Sequence, residues 1–406
     1  MYKKLFGFSG ITVFASILGF LLLPLVTKVL QVDAFGEYSL YYSISVVLAS
    51  VFLFGTPSSY SLVFAEKSEE RIKKVQDVFS FFITCNTISF ISLQFLVIIL
   101  VVFYDFSAAL FFIPLLIISR SIYQVVSQYM RLENKVIYFA FYQCITISLS
   151  FIVPLLTAYF FIVTGLQFIA VMSFVFFISS IVGLCYLHNK GQSCCFDFFY
   201  INSSLLHFGI FSAAHALTAS MITVSDRFIL AGYMERGEFA IYSLAALLAS
   251  TLSLVYSAIS QNLSPILYKK LKDGMSFKLL LLTYGIKYLS FVLVLFLLYQ
   301  LLISVVVLNF FPQAYAGAIN ISRLLVVGVL FQGGYFLFSS LIMYLRATNK
   351  LFMITLVCGL FNVTFGLLMC KYFGLKGVVL SYLLTWFIFM LSTFFVCKRG
   401  FYAETN

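Results

Sequence analysis

The sequence predicts an all-α polytopic membrane protein with about twelve transmembrane helices in two six-helix lobes. Of its 406 residues, 63% are hydrophobic and only 10% are charged, whereas soluble domains carry about 25% charged residues. The apolar residues form long runs, and a helix needs roughly 20 such residues to cross a bilayer. Only helices and closed barrels satisfy every backbone group in lipid, so runs without alternation predict helices.

Twelve apolar runs, separated by short polar breaks, define the expected helices. An even number in each half gives both halves the same orientation, related by an axis along the membrane normal. We therefore expect an N-terminal lobe over residues 1–200, a C-terminal lobe over residues 201–406, and an inner cavity between them. The expected spans are 6–30, 38–64, 78–104, 107–130, 136–160, 164–188, 204–227, 239–264, 279–308, 318–345, 351–371 and 375–397.

Two short sequence repeats, called echoes below, indicate that the halves are related. Phe35-Gly-Glu-Tyr-Ser-Leu40 aligns with Phe239-Ala-Ile-Tyr-Ser-Leu244 at an offset of 204 residues. Arg131-Leu-Glu-Asn-Lys135 and Arg346-Ala-Thr-Asn-Lys350 share Arg-x-x-Asn-Lys at an offset of 215 residues. Two matches in the same order, at nearly equal offsets, predict a chain built as two similar halves. Repeated halves are a common plan of transporters, with the substrate path between them.

The distribution of lysine and arginine predicts the orientation. With the N-terminus placed in the cytoplasm, seventeen of the 25 lysines and arginines fall in cytoplasmic segments and four in outer loops. The positive-inside rule then places both termini in the cytoplasm. The net charge of +11 follows mainly from this asymmetry, which also attracts the cytoplasmic segments to anionic lipid. It is therefore no indication of nucleic-acid binding.

Several function classes are disfavoured by what the sequence lacks. It contains no Walker A motif, no His-Glu-x-x-His motif and no nucleophile elbow, so we expect neither a nucleotide-driven motor nor an enzyme. The eight cysteines include no Cys-x-x-Cys pair, and we expect no disulfide, metal site or cofactor. The vicinal Cys194 and Cys195 are expected to be free thiols.

Four cations fall inside the expected spans and are candidates for substrate contact: Lys28, Arg120, Lys287 and Arg323. A charge at bilayer depth costs a few kcal/mol and marks a pathway or a paired interior. The same spans contain a single acid, Asp226, at the end of its helix. A basic cavity that faces an anionic substrate therefore explains the cations better than internal ion pairs do.

Polar side chains follow these charges at helical spacing, which places them on inward faces. The three faces are Arg120, Gln124, Ser127 and Gln128; Thr283, Lys287 and Ser290; and His215, Thr218 and Ser225, close to Asp226 and Arg227. We assign Gln124, Gln128, His215, Asp226 and Arg227 to a polar cavity that could also serve coupling.

Simpler interpretations of these residues stay open. Lys28, Lys287 and Arg323 can extend their charges to the membrane surface. His215 can be a neutral core histidine, and Asp226 with Arg227 a local ion pair. Pro24, four residues before Lys28, predicts a helix bend that is either a hinge or a static kink.

A family resemblance rests on longer segments. Ser225-Asp-Arg-Phe-Ile-Leu230 followed by Gly237-Glu-Phe-Ala-Ile-Tyr-Ser-Leu-Ala245 resembles the signature of the polysaccharide-export branch of the multidrug/oligosaccharidyl-lipid/polysaccharide (MOP) exporter superfamily, which includes the MATE-like fold. Phe35–Leu40, and the segment from Arg346 to Phe373-Gly-Leu-Lys-Gly377, resemble it as well. The resemblance covers nearly the whole chain, and the closest subgroup is the Wzx-type O-antigen flippase. Lys376 departs from the family pattern, because a small residue is common at this position in the family.

The resemblance implies a flippase of lipopolysaccharide or related polysaccharide biosynthesis. Its substrate would be an undecaprenyl-diphosphate-linked oligosaccharide, an O-antigen or similar repeat unit. Alternating access of the two lobes would move it from the cytoplasmic to the periplasmic leaflet of the bacterial inner membrane. A polysaccharide polymerase and a chain-length regulator are implied partners. A diphosphate suits the four cations, because charge-assisted hydrogen bonds are strong in a low-dielectric cavity.

Two other classes remain as alternatives. A cation-coupled antiporter of small molecules shares the same fold, but would favour an acidic cavity. A membrane enzyme such as a glycan polymerase or ligase typically carries a sizeable outer loop, and the longest expected gap between helices is only 189–203.

Overall fold

The computed structural model describes residues 2–65, 71–190, 203–345 and 347–405, and these ranges contain helices and no strand. Cys194, Cys195 and Arg346 lie outside the described residues. The predicted all-α class is therefore confirmed for the part of the chain that is described.

The first half of the chain contains α1 to α8, joined by short connections. In this half α6 and α8 are central, since α6 packs against α8, α3, α7, α4 and α5, and α8 also packs against α3 and α7. The bounds are α1 Tyr2–Leu21, α2 Leu23–Val29, α3 Val32–Val51, α4 Thr56–Ala65, α5 Arg71–Tyr104, α6 Phe112–Leu132, α7 Val136–Phe160 and α8 Gly165–Asn189, with a 3₁₀ turn at Ala108–Phe111 before α6.

The second half contains α9 to α15. Here α14 is central and packs against α11, α13 and α15, while α10 packs against α15. The bounds are α9 Ser203–Thr223, α10 Ser225–Tyr233, α11 Arg236–Lys272, α12 Phe277–Leu280, α13 Ile286–Phe310, α14 Ala318–Tyr344 and α15 Thr348–Thr405, with a π-helical turn at Leu281–Gly285 and a 3₁₀ turn at Gln313–Tyr315.

Ten helices in the described ranges are long and apolar enough to cross a membrane, by length and composition. The expected span 351–371 and its neighbour 375–397 lie within α15, which is interrupted at Gly374 by a backbone (φ 55°, ψ −137°) that is not helical. The expected span 38–64 is wrong as one helix, because α3 ends at Val51 and α4 begins at Thr56. The number twelve stays a prediction.

The chain forms two compact units, Met1–Leu217 and Thr218–Asn406. The division falls within α9, later than the expected lobe boundary at residue 200. The first part of α9 packs on the break between α3 and α4: Gly209 lies against the carbonyl of Phe54, and Ser212 against Gly55. These contacts join the first part of α9 to the first unit.

The first long helix of each half is interrupted near its end. The first breaks at Leu22, with Pro24 in the first turn of α2. Its counterpart breaks at Val224, between α9 and α10, so the expected span 204–227 is wrong as one helix. The following helices, α3 and α11, begin at Val32 and Arg236, which are 204 residues apart, like the first sequence echo. This agreement supports the internal repetition that the echo predicts.

The interruption between α3 and α4 has no equivalent in α11, which is continuous over 37 residues. Phe54 and Gly55 both have positive φ, 45° and 67°. The side chain of Asn86, on α5, donates hydrogen bonds to the carbonyls of Phe52 and Phe82, both at 2.9 Å. Since freed backbone groups are costly in a membrane, this amide stabilises the break.

The contact between α3 and α8 depends on Gly165. A Cβ at this position would lie 2.3 Å from the carbonyl oxygen of Ala34 and 2.4 Å from the amide nitrogen of Tyr38. The backbone of Leu166 also donates to the Glu37 carboxylate at 3.2 Å. The N-terminus of α8 is therefore pressed directly onto the first turns of α3.

We expect Gly165→Val to lower the yield of folded, monodisperse protein strongly. The clash is with backbone, so it exceeds the cost of about 1–3 kcal/mol that is typical of overpacked side chains. Gly232→Val is the matched control, because no atom lies within 4 Å of its added Cβ. Size-exclusion profiles in detergent measure the effect, and equal yields of the two variants would contradict this account of the α3–α8 contact.

Candidate functional site

The first candidate site is built around Arg120, in the middle of α6. The carbon of its guanidinium lies 4.7 Å from the centre of the Tyr42 ring and 5.3 Å from that of Phe176. Tyr42 lies on α3 and Phe176 on α8, so three helices hold the side chain. Each cation–π contact stabilises the guanidinium by about 0.5–2 kcal/mol, which partly offsets the cost of a cation at this depth.

The guanidinium is held by aromatic rings and by no acid among the residues that the structure describes. Its Nη1 atom is enclosed and has no hydrogen-bond partner there, while the residue as a whole is half-buried. A buried donor without an acceptor costs about 1–3 kcal/mol. An anion that enters beside the guanidinium would supply the missing acceptors and the missing negative charge.

Further aromatic residues surround this clamp. The ring of Tyr123 lies 5.7 Å from Phe176 and 5.3 Å from Tyr142, and the ring of Tyr38 lies 5.6 Å from Tyr42. These rings pack around one another and fix Tyr42 and Phe176 in place. The position of Arg120 is therefore set by packing before any ligand arrives.

Gln124 and Gln128 continue the face of Arg120 toward the end of α6, and both are half-buried. Gln128 donates a hydrogen bond to the hydroxyl of Ser61, on α4, at 3.3 Å. The structure thus keeps the predicted polar face of α6 together within the first unit, with Ser127 buried beside it.

Lys28 is exposed in the last turn of α2, close after the break at Leu22. The expected span 6–30 is interrupted at Leu22, so the bend that Pro24 predicts is present. Thr27 donates to the carbonyl of Pro24 at 3.0 Å, a hydrogen bond within the same turn of α2. The exposure of Lys28 is compatible with a cavity and with the membrane surface, so its substrate role stays a prediction.

The second candidate site surrounds Asp226, in the second unit. The interpretation of Asp226 as the end of a helix is wrong: it lies in the first turn of α10 and is 4% exposed. The hydroxyl of Tyr242, on α11, donates to its Oδ2 atom, and the backbone of Arg227 donates to Oδ1 at 2.9 Å. The carboxyl group is therefore enclosed between two helices.

Asn362 links the break before α10 to α15. Its amide nitrogen donates to the carbonyls of Met221 and Ile222 at 3.0 and 3.3 Å, and to the Ser225 hydroxyl at 3.0 Å. Thr385 donates to the amide oxygen at 2.9 Å. An asparagine thus binds backbone carbonyls at one break in each unit, Asn86 at the break after Val51 and Asn362 at the break at Val224.

Lys287 is exposed at the start of α13, immediately after the π-helical turn. Such turns are rare and occur often at functional sites. Tyr288, its neighbour, donates to the carbonyl of Gly333 on α14 at 3.0 Å. The turn thus lies beside a fixed contact between helices, while the side chain of Lys287 stays accessible.

Arg323 has polar partners on α13. Its Nη2 atom donates to the Ser304 hydroxyl at 2.8 Å and lies 3.4 Å from the carbonyl of Gln300, and the amide of Gln300 donates to the Arg323 carbonyl at 2.9 Å. These bonds join α13 to α14. They support a structural role for Arg323 more than direct substrate contact.

The remaining predicted residues are divided between the two units. His215 is exposed on α9, in the first unit. Arg227 is half-buried next to Asp226 in the second unit. The structure therefore brings together Arg120 with Gln124 and Gln128, and separately Asp226 with Arg227.

Sequence reasoning missed the partners that define both sites: Tyr42, Phe176, Tyr242, Asn362 and Thr385. Two of them carried a usable signal. Tyr242 lies inside the repeated Tyr-Ser-Leu echo, and Asn362 is an amide within an apolar span. Tyr42 and Phe176 carried none, because the chain contains 26 tyrosines and 50 phenylalanines.

No protein-family profile and no curated protein sequence matches the chain. Solved structures do match over its whole length. A multidrug resistance MATE family transporter of the MOP superfamily, in an outward-facing conformation, superposes with a TM-score of 0.69 at 13% identity, covering 99% of this chain and 96% of that one. A variant of the Vibrio cholerae MATE transporter VcmN gives 0.62 at 14% identity, covering 99% and 97%.

The lipid II flippase MurJ, in an inward closed conformation, gives a TM-score of 0.69 at 18% identity, covering 97% of this chain and 88% of that one. At these identities the similarity shows the fold alone. The chain therefore has the fold that MATE transporters and MurJ share, which confirms the predicted MATE-like fold class.

Proposed function

We propose that this chain is a flippase that moves an undecaprenyl-diphosphate-linked oligosaccharide from the cytoplasmic to the periplasmic leaflet of the bacterial inner membrane, by alternating access. The observation that carries the proposal is the Arg120 clamp. It presents a cation inside a membrane helix bundle, with aromatic support, no acid among the described neighbours, and a donor that lacks an acceptor. The sequence resemblance to Wzx-type flippases and the fold shared with MurJ support it.

The chemistry of arginine suits a diphosphate. Its planar fork donates to two phosphate oxygens at once, and the aromatic rings restrict it to one orientation. An acid partner would cancel the charge before the substrate arrives, whereas an aromatic clamp leaves the charge intact. Lys28 and Lys287, both exposed, are proposed as further cationic contacts along the path.

We assign coupling to Asp226. A buried carboxylate is costly unless it is paired, and Asp226 accepts from one tyrosine hydroxyl and one backbone amide, with the positive charge of Arg227 close by. Binding and release of a proton or of a small cation would change the charge at the start of α10, next to a break in the helix. At the offset of 204 residues, the residue of the first unit that corresponds to Asp226 is Leu22, which carries no charge. We therefore propose that the first half binds the substrate and the second half provides the coupling.

A second candidate function is a cation-coupled antiporter of small molecules. The buried Asp226 favours it, as does the similarity to a multidrug resistance transporter. The Arg120 clamp argues against it, because a cation without an acid partner repels the cationic compounds that such antiporters would carry.

The experiment that separates the two is deletion of the gene in its native strain. A flippase predicts that the undecaprenyl-linked oligosaccharide accumulates and that surface polysaccharide is lost. Mass spectrometry of the lipid extract identifies the accumulated glycan. An unchanged lipid pool, together with higher sensitivity to cationic compounds, would instead establish the antiporter.

A further inference from the structure

The polar row that extends from Arg120 along α6 has a simple geometry. Arg120, Gln124 and Gln128 are separated by four residues each, so neighbours are about 6 Å apart along the helix axis and the row is about 12 Å long. All three are half-buried, whereas Leu116, Ile117 and Val125 on the same helix are buried. The row therefore lies along the accessible edge of α6.

The two glutamines have unused hydrogen-bonding capacity. Gln128 donates through Nε2 to Ser61, which leaves its Oε1 atom to accept. The amide of Gln124 makes no hydrogen bond to any residue in the described ranges. Polar side chains are expensive on a lipid-facing surface, so this row is expected to face the water-filled substrate path.

We propose that Gln124 and Gln128 form a sugar subsite, which binds hydroxyl or amide groups of the first sugars attached to the diphosphate. A neutral amide both donates and accepts, as a sugar hydroxyl does, and it does not compete with Arg120 for the phosphate charge. The substrate then lies along α6 with the diphosphate at Arg120 and the glycan toward Leu132. Ser61 fixes the orientation of the second amide.

This inference rests on the proposed function, so its test uses two probes. Purified full-length protein is titrated with undecaprenyl diphosphate alone, and with the undecaprenyl-diphosphate-linked repeat unit extracted from the native strain. Wild-type protein should bind the glycan-bearing probe more tightly. Gln124→Leu and Gln128→Leu should each weaken that binding by about fivefold, the effect of one neutral hydrogen bond, and leave the affinity for undecaprenyl diphosphate unchanged.

The control is Ile122→Ala, a half-buried residue on the opposite face of α6, which should bind both probes as the wild type does. Equal weakening of both probes by the glutamine variants would overturn the sugar assignment, because the amides would then act on the diphosphate or on the fold. Unchanged binding of both probes would overturn it as well. If the wild type binds neither probe, the proposed function itself fails.

Discussion

Replacing Arg120 by alanine should abolish delivery of surface polysaccharide while the protein still inserts at normal levels. The loss of a charge-assisted contact to phosphate, about 1.5–3 kcal/mol, weakens binding of undecaprenyl diphosphate by roughly 10- to 150-fold. Arg120→Lys should retain part of the function, since it keeps the charge and loses the planar fork. The measurement is surface glycan and membrane-inserted protein in a strain that lacks the wild-type copy.

Lys190 provides the control. It directly follows α8, and its ammonium also lies over an aromatic ring, Tyr186, at 5.9 Å. Lys190→Ala should leave glycan delivery near the wild-type level. If instead Arg120→Ala reduces the amount of inserted protein in proportion to function, the aromatic clamp is a structural element. If it inserts normally and restores full-length glycan, the diphosphate role is wrong.

Asp226→Asn should slow transport strongly without weakening substrate binding. Asparagine keeps the shape and can still accept from Tyr242, but it cannot exchange a proton or hold a cation by charge. We expect transport to fall by about 5- to 150-fold, the range of typical coupling free energies, with the affinity for undecaprenyl diphosphate within about twofold of the wild type. An Asp226→Asn variant that transports at the wild-type rate would refute the coupling role.

The single tryptophan of the chain provides an independent readout of this site. Trp386 follows Thr385, which bonds Asn362, and its ring lies 6.3 Å from that of Tyr382 in an edge-to-face contact. Its fluorescence should respond to titration with sodium ions or with protons in the wild type, and the response should be absent in Asp226→Asn. Thr364→Ala is the control, since the Thr364 hydroxyl bonds only carbonyls of its own helix.

Hydropathy located the membrane helices well, because a bilayer demands long apolar segments whatever the partners are. The interruption at Val224 is not visible locally, because the freed carbonyls there are bound by Asn362 from a distant helix. The breaks at Leu22 and after Val51 are different, since Pro24 marks the first and Gly55 with Pro57 marks the second. Hydropathy alone passes over both, because these residues leave the apolar run uninterrupted.

The same distinction applies to the candidate sites. A cation in an apolar span is visible in the sequence, and Arg120 and its polar face were predicted from that signal. The clamp that holds it was not, because Tyr42 and Phe176 come from helices distant in sequence. A visible charge does not by itself identify a substrate contact. Arg323 is as visible in the sequence as Arg120, but its partners Gln300 and Ser304 give it a role in joining two helices.

The central claim is that this chain carries a lipid-linked glycan across the bilayer, and the leaflet in which that glycan resides tests it most directly. Spheroplasts of the deletion strain, carrying wild-type protein, Arg120→Ala or no copy, are treated with a membrane-impermeant reagent that oxidises sugars. The polymerase is inactivated so that the lipid-linked unit is not consumed. The wild type should expose the glycan to the reagent, whereas the other two strains should expose it only after permeabilisation. Equal labelling with and without the chain would contradict the flippase account.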